Sequence, residues 1–201
     1  ASGTFSPATG SMGLGRVLHT ATPLGNGKVL IAGGWNRASS ALSTAEVYDH
    51  ATGTFGPLMS MNVPRMEHSE TLLWDGKVLL TGGRNDASGS ISSAELYDPE
   101  TGSFSLTTGP METARDTHTA TLLPSGMVLI AGGYSTATGS SLSSAELYNP
   151  DTRSFDVTSS VGTRYWHTAT LLPNEKVLVT GGFAGGSSFP LEVLSSAELY
   201  S

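Results

Sequence analysis

Arg16-Val17-Leu18-His19 is the first of four tetrapeptides in which an arginine and a histidine enclose two variable residues. The pattern returns about every 50 residues, as Arg65-Met66-Glu67-His68, Arg115-Asp116-Thr117-His118 and Arg164-Tyr165-Trp166-His167. Each tetrapeptide is followed by an apolar run that ends in two glycines, and then by Ala-Glu-Leu-Tyr or Ala-Glu-Val-Tyr. The apolar runs are VLIAGG at 29–34, VLLTGG at 78–83, VLIAGG at 128–133 and VLVTGG at 177–182. Features that return in one order at one spacing indicate a tandem repeat.

Each repeat predicts four short β-strands and no helix of useful length. The first strand resembles HTATLL, and a turn such as Asn26-Gly27 or Asp75-Gly76 separates it from the second strand. Such dipeptides between apolar runs are strong hairpin signals, and both central residues are expected at positive φ. The fourth repeat has the weaker Asn174-Glu175 at this turn. The second strand is apolar on both faces and is therefore expected to be sandwiched. Its paired glycines predict a close approach of another backbone or a positive φ.

The repeat resembles the kelch family of β-propellers. The matching features are the arginine before the first strand, the glycine pair, the tyrosine of the third strand, and an aromatic residue in the fourth. That last residue is Phe55, Phe104 or Phe155, where the family usually carries tryptophan. The resemblance implies an all-β, kelch-type β-propeller with four blades of four antiparallel strands per chain. We treat residues 1–201 as a single domain, with blades at about 16–58, 65–107, 115–158 and 164–201.

The closure of the ring is a separate expectation. The chain ends on the third strand of a blade, and Ala1–Phe5 resembles the entry to a fourth strand at Ala51–Phe55. We therefore expect residues 1–8 to complete the C-terminal blade, which protects the edges of the ring. Such a closure works within one chain or between two. The chain is then a four-blade monomer, a ring-closing homodimer with eight blades, or an excerpt of a longer natural or engineered propeller.

Composition excludes several functions. The 201-residue chain has a formal charge of −7, no cysteine and three lysines. The lack of cysteine excludes disulfides, zinc–thiolate sites and thiol catalysis. The acidic balance argues against nucleic acid and against membrane surfaces as partners. No signal peptide is visible, but the abundant serine and threonine, the low lysine content and an N-terminus other than methionine favour a secreted or extracytoplasmic protein.

Two sets of side chains at one blade position are candidate ligand-binding residues. The resemblance implies a ring of arginines at one mouth of the channel, where their planar guanidinium groups bind an anionic ligand. The alternative, which we favour, is an internal ion pair with the repeated glutamates. The arginines are Arg16, Arg65, Arg115 and Arg164, and the glutamates are Glu46, Glu95, Glu146 and Glu198.

The second set is the ring of histidines, His19, His68, His118 and His167. Four imidazoles around an axis are a candidate site for a divalent transition metal, and such a site indicates a metal-dependent lyase or hydrolase. We favour a structural role instead, because a residue that every repeat requires more often holds the repeat together. We accordingly expect no metal and no other cofactor.

The loops after the glycine pairs vary, as binding surfaces on a regular scaffold do. They begin with Trp35, Arg84, Tyr134 and Phe183. Aromatic residues at three of these positions suit stacking on a sugar or a peptide side chain, or they cover the hydrophobic rim. No motif of a catalytic nucleophile or a phosphate loop is present. The sequence therefore favours a non-catalytic binding or scaffold module for a protein or glycan, or a duplicated or engineered repeat protein with no evolved ligand.

Overall fold

The computed structural model describes residues 3–186 and 191–201. In this part of the chain there is no helix, and 24 short strands follow one another. The first two repeats supply β1 (Thr20–Pro23), β2 (Val29–Ala32), β3 (Trp35–Asn36), β4 (Ser40–Ala41), β5 (Thr44–Asp49), β6 (Thr54–Phe55), β7 (Met59–Ser60), β8 (Ser69–Leu72), β9 (Val78–Thr81), β10 (Arg84–Asn85), β11 (Gly89–Ser90), β12 (Ala94–Asp98) and β13 (Ser103–Leu106). The last two supply β14 (Thr119–Leu122), β15 (Val128–Ala131), β16 (Tyr134–Ser135), β17 (Ser140–Ser141), β18 (Ala145–Asn149), β19 (Ser154–Thr158), β20 (Thr168–Leu171), β21 (Val177–Thr180), β22 (Phe183–Ala184), β23 (Glu192–Val193) and β24 (Ala197–Tyr200).

Each repeat forms one antiparallel sheet, as the sequence predicts. The strand orders are β1-β2-β5-β6, β8-β9-β12-β13 and β14-β15-β18-β19, with β7 also pairing with β5. Among the described residues the fourth sheet has three strands, β20-β21-β24. A two-strand hairpin (β3-β4, β10-β11, β16-β17 or β22-β23) stands between the second and third strands of each repeat. These hairpins carry the residues that follow the glycine pairs.

The apolar second strands pack between neighbouring sheets and form the core. In β9, Val78 and Leu80 face the first repeat and join a cluster with Leu30, while Leu79 faces the third repeat. Leu79 belongs to a second cluster, which also includes Ile130 of β15 in the third repeat. All of these side chains are fully buried. A strand buried on both faces reads as a continuous apolar run, so the sandwiched position predicted for it is confirmed.

The turn between the first two strands differs from the prediction in one respect. Gly27, Gly76 and Gly126 have positive φ, but the residue before each of them does not. The Leu24 N–H donates to the Lys28 carbonyl, and this bond closes a three-residue loop. A three-residue hairpin loop has its left-handed residue at the end only, which explains the difference. In the fourth repeat Glu175 takes that position at φ 65°, although it is not a glycine.

The expected pairing of residues 1–8 with the last sheet is not formed within the described part of the chain, which leaves out residues 1 and 2. Residues 3–8 adopt no strand, and the Phe5 side chain is fully exposed. Directly after this segment the chain contacts the first sheet, where the Gly10 N–H donates to the Gly53 carbonyl at 3.2 Å. The contact between tyrosine and phenylalanine that returns from repeat to repeat therefore occurs in the first three sheets only, as far as the described residues extend.

The N-terminal segment does not complete the last sheet because the first and last sheets do not close on each other. The inner strands pack in sequence, β1 on β8, β8 on β14 and β14 on β20. His19 at the start of the first inner strand and Thr168 at the start of the last are both exposed. A closed ring of four blades needs a turn of about 90° per blade. The exposure of His19 and Thr168 indicates that the first and last inner strands each leave one side without a neighbouring sheet in this structure.

Candidate functional site

The four arginines predicted to bind a ligand are buried in this structure. Their guanidinium groups pair with the repeated glutamates, which is the alternative that the sequence analysis favoured. The distances from arginine Nη2 to glutamate Oε1 are 2.9 Å for Arg16–Glu46, 2.9 Å for Arg65–Glu95, 2.7 Å for Arg115–Glu146 and 2.5 Å for Arg164–Glu198. Burial lowers the pKa of Arg65, and the neighbouring Glu95 opposes that shift. Each ion pair stabilises its own repeat, and none of these four guanidinium groups is free at the channel mouth for a ligand.

Each arginine also fixes the glycine pair of its own sheet. Arg65 Nη1 donates to the carbonyl oxygens of Gly82 at 2.7 Å and Ser93 at 3.1 Å. The partner glutamate accepts backbone N–H groups from the loop before the arginine, as when Asn62 and Val63 donate to Glu95. The charged pair is thus surrounded by backbone donors and acceptors. Of the polar side-chain atoms of this pair, Arg65 Nε alone lacks a hydrogen-bond partner, and the other hydrogen bonds offset part of the cost of burying the two charges.

The glycine pairs are the points where one sheet meets the next. The Gly83 N–H donates to the Arg115 carbonyl of the following repeat at 2.9 Å. A Cβ atom on Gly82 would lie 2.4 Å from that same oxygen. Both glycines have positive φ, at 56° and 92°. Both reasons that the sequence offered for the pair, a close backbone and a positive φ, therefore apply.

The histidines link neighbouring sheets through side-chain hydroxyls. His118 Nε2 lies 2.8 Å from Ser69 Oγ and 2.9 Å from Thr81 Oγ1 of the preceding repeat. Equivalent contacts join His68 to Thr20 at 2.7 Å and His167 to Thr119 at 2.9 Å. Burial lowers the pKa of each of these imidazoles, for His167 to about 4. They are therefore neutral at pH 7.

The metal site considered for the histidine ring is not assembled in the part of the chain that the structure describes. There, no three histidine, aspartate or glutamate side chains come close enough to hold an ion. The Nε2 atoms of His68, His118 and His167 are directed at hydroxyl groups, while His19 is exposed. The imidazoles lie at the contacts between sheets rather than around one point.

The two variable residues of each tetrapeptide occupy the mouth of the channel. The second of them has a positive φ in all four repeats: Leu18, Glu67, Thr117 and Trp166, at φ 50–56°. Their backbones are bonded in series, because the N–H of each donates to the carbonyl of the one before it, at 3.0–3.1 Å. A left-handed conformation costs a residue with a side chain about 1–2 kcal/mol. This chain of hydrogen bonds between repeats holds them in that conformation.

The first variable residue brings the predicted loop residues to the same mouth. Val17, Met66, Asp116 and Tyr165 form antiparallel bridges with Trp35, Arg84, Tyr134 and Phe183, respectively. All four loop residues that the sequence singled out therefore stand directly beside the tetrapeptides. The middle residues of the tetrapeptides were not among the site residues predicted from the sequence. The available signal was that both middle positions vary while the flanking arginine and histidine do not.

A cleft of about 230 Å³ opens at this mouth across the second, third and fourth repeats. We call it the mouth cleft. Its lining side chains are Glu67, Arg84, Asp116, Thr117, Tyr134, Tyr165, Trp166 and Leu191, with the backbone of Gly186. Of the predicted loop residues, Arg84 and Tyr134 line the cleft. Phe183 packs against Trp166 with ring centres 6.0 Å apart, and Trp35 is outside the lining.

The charged groups of the mouth cleft are two carboxylates and one guanidinium. Arg84 Nε lies 2.7 Å from Glu67 Oε2. Asp116 is 3% exposed and accepts hydrogen bonds from Ser90 Oγ at 2.6 Å and Thr117 Oγ1 at 3.2 Å. Burial raises the pKa of Asp116 and of Glu67, and Arg84 opposes both shifts. The cleft therefore holds partly desolvated negative charge against an aromatic wall.

Sheets of this topology, packed side by side through their second strands about a common mouth, define a β-propeller. The kelch motif matches residues 17–62 and 69–110, which are the first two repeats. The chain therefore carries kelch repeats. Its third and fourth repeats keep the same arginine–glutamate pairs, and the third also keeps the glycine contact with the following repeat. No curated protein matches the chain significantly. None of the described residues forms a helix able to cross a membrane.

Proposed function

We propose that the chain is a non-catalytic binding or scaffold module that holds a protein ligand at the mouth cleft. The observation that carries this proposal is which residue positions differ between the four repeats. The arginines, glutamates, glycines and three of the histidines are engaged within and between the sheets, whereas the cleft is lined by positions that differ from repeat to repeat. A regular scaffold with variable residues at one mouth suits recognition.

A protein ligand fits the mouth cleft better than a glycan. A sugar ring stacks on an open aromatic face, but the rings here tilt against each other. Tyr134 and Tyr165 are inclined by 58°, and Tyr165 and Trp166 by 44°. Only Trp166 is widely open, at 58% exposure, while Tyr165 is buried. An aromatic anchor surrounded by charged residues is typical of a protein interface.

Display of a random peptide library on phage tests the proposal. We expect the wild-type chain to enrich a family of peptides, and Trp166→Ala to lose at least tenfold in affinity for them. Trp74→Ala is the matched control, because Trp74 is 69% exposed on the turn between β8 and β9, outside the mouth cleft. Enrichment of peptides that bind both variants equally well would contradict the site. Failure to enrich, together with a positive glycan array, would contradict the ligand class.

The metal-dependent enzyme remains the second candidate that the sequence offered, although no contact described above favours it. Elemental analysis of the purified chain addresses it directly. One equivalent of zinc, manganese or iron per chain that disappears in His118→Gln would support it over the binding module.

A further inference from the structure

We infer, on the basis of the proposed function, that the group entering the mouth cleft is a cationic side chain of the protein partner, an arginine or a lysine. The charges of the cleft are the first argument. Glu67 and Asp116 outnumber Arg84, so the formal charge of the lining is −1. The hydroxyls that bond to Asp116 are neutral. A buried carboxylate with neutral donors gains from an added cation, because its desolvation is otherwise only partly offset.

Arg84 provides the second argument, because its guanidinium already occupies part of this cleft. Its Nε atom lies 2.7 Å from Glu67 Oε2, an ion-pair distance, although the N–H is not aligned to donate a hydrogen bond to that oxygen. The Glu67 carboxylate therefore already faces a guanidinium group. The other repeats carry Trp35, Tyr134 or Phe183 at the position of Arg84. The same contact also argues against an anionic ligand. A ligand anion would have to displace Glu67 from Arg84 while facing Asp116.

The aromatic wall is the third argument. Tyr165 lies 5.4 Å from Tyr134 and 5.5 Å from Trp166, measured between ring centres. A cation within about 6 Å of an aromatic face gains roughly 0.5–2 kcal/mol, most on tryptophan. Arginine adds planar stacking to this attraction. The wall thus attracts the same class of group as the carboxylates.

The volume of the mouth cleft sets the scale of what enters it. At about 230 Å³ it is smaller than the 300–1,000 Å³ typical of sites for whole small molecules. A single long side chain projecting from a partner suits this space. The formal charge of −7 on the chain also favours the approach of a basic surface.

The test uses the full chain and a pair of tripeptides, acetyl-Gly-Arg-Gly-amide and its citrulline counterpart. Citrulline has nearly the shape of arginine without the charge. Binding is followed through the indole N–H signal of Trp166 in proton–nitrogen NMR spectra, assigned with Trp166→Phe. We expect the arginine peptide to shift this signal saturably and to bind at least tenfold more tightly than the citrulline peptide. A peptide with glutamate in place of arginine is expected not to bind.

Variants separate the roles of the charges. Asp116→Asn and Glu67→Gln should each weaken the arginine peptide by about tenfold, whereas Asp75→Asn, on the exposed turn between β8 and β9, should leave it unchanged. If Asp116→Asn does not fold, Glu67→Gln and the citrulline comparison on the wild-type chain carry the test. Equal binding of the arginine and citrulline peptides, or no binding of either, overturns the inference.

The outcomes also separate this inference from the proposed function. Display that selects Trp166-dependent peptides without arginine or lysine overturns the cationic ligand and leaves the binding module in place. Display that selects no Trp166-dependent peptide overturns both.

Discussion

Arg65 and Glu95 form an ion pair that is wholly removed from solvent, with 2.9 Å between Nη2 and Oε1 and no exposed side-chain surface on either residue. The pair occurs in each of the four repeats, but its burial differs. Glu198, the equivalent of Glu95 in the last repeat, has a side chain that is 40% exposed. The two positions therefore allow the same substitution to be compared at a buried and at a partly exposed carboxylate.

We expect Glu95→Gln to lower the free energy of unfolding by about 3–5 kcal/mol, because it leaves the buried Arg65 guanidinium without a counter-charge. Glu198→Gln is the matched variant and should cost less, since water reaches the Glu198 carboxylate, although the Arg164 guanidinium is nearly as buried as that of Arg65. Urea denaturation at pH 7 measures both. Equal losses for the two variants would contradict the role given to burial.

The lowered pKa of His167 predicts an acid-sensitive stability. The folded-state pKa of about 4 lies below the ordinary value of 6.5, so the unfolded chain binds more protons between these values. The stabilisation is complete above pH 6.5 and is lost progressively as the pH falls towards 4. By proton linkage, this imidazole lowers the free energy of unfolding by about 2 kcal/mol at pH 5.

Urea titrations at pH 7 and pH 5 check this expectation. The difference between the two pH values should shrink in His167→Asn and stay at the wild-type size in His50→Asn, because His50 is exposed on a turn. An unchanged difference in His167→Asn would show that this imidazole is not responsible.

Glu175 offers a substitution that should stabilise the chain. It lies at φ 65° in a turn where the other repeats have glycine. Glu175→Gly removes the left-handed strain at some cost in chain entropy, so we expect a gain of about 0.5–1 kcal/mol. Gly76→Ala, the reverse change at the equivalent turn of the second repeat, should cost about 1–2 kcal/mol, because a Cβ there meets no atom and only φ opposes it. Thermal melting of both variants tests the sign of each change.

The exposed faces of the first and last sheets predict association of the 201-residue chain. Inside the chain, His68 contacts Thr20 of the preceding repeat. His19 and Thr168 are the equivalent residues of the first and last repeats, and they form the two exposed halves of such a contact. We propose that two copies join head to tail through these halves, as the ring-closing homodimer expected from the sequence requires. Sedimentation should then give twice 20.7 kDa, and His19→Ala should shift the equilibrium towards the single chain. A mass of 20.7 kDa at all concentrations would favour the monomer.

Much of the fold follows from the sequence, because a motif repeated four times restricts the interpretation. The strand order, the sandwiched second strands and the purpose of the glycine pairs were all predictable from residues such as Gly82 and Leu79. The arginine–glutamate pairing was predictable as one of two alternatives. Burial decided between them, and burial depends on how neighbouring sheets pack rather than on any one repeat.

Neither the path of the N-terminal segment nor the mouth cleft could be predicted from the sequence, and the reasons differ. Likeness between the segments around Phe5 and Phe55 indicates what the first could pair with, but the turn from sheet to sheet decides whether it reaches a partner. The cleft draws Glu67, Asp116 and Trp166 from three repeats. Their proximity depends on the left-handed backbone at the tetrapeptides, which composition does not reveal because non-glycine residues occupy it.

The hydrogen-bonded series from Leu18 to Trp166 has a consequence for evolution and for engineering. The series is made by backbone atoms alone, so the side chains on it are free to change without loss of the bonds that join the repeats. The four side chains on this series can thus be exchanged together while the backbone hydrogen bonds beneath them persist. A family of receptors with unrelated preferences is accessible from this one chain.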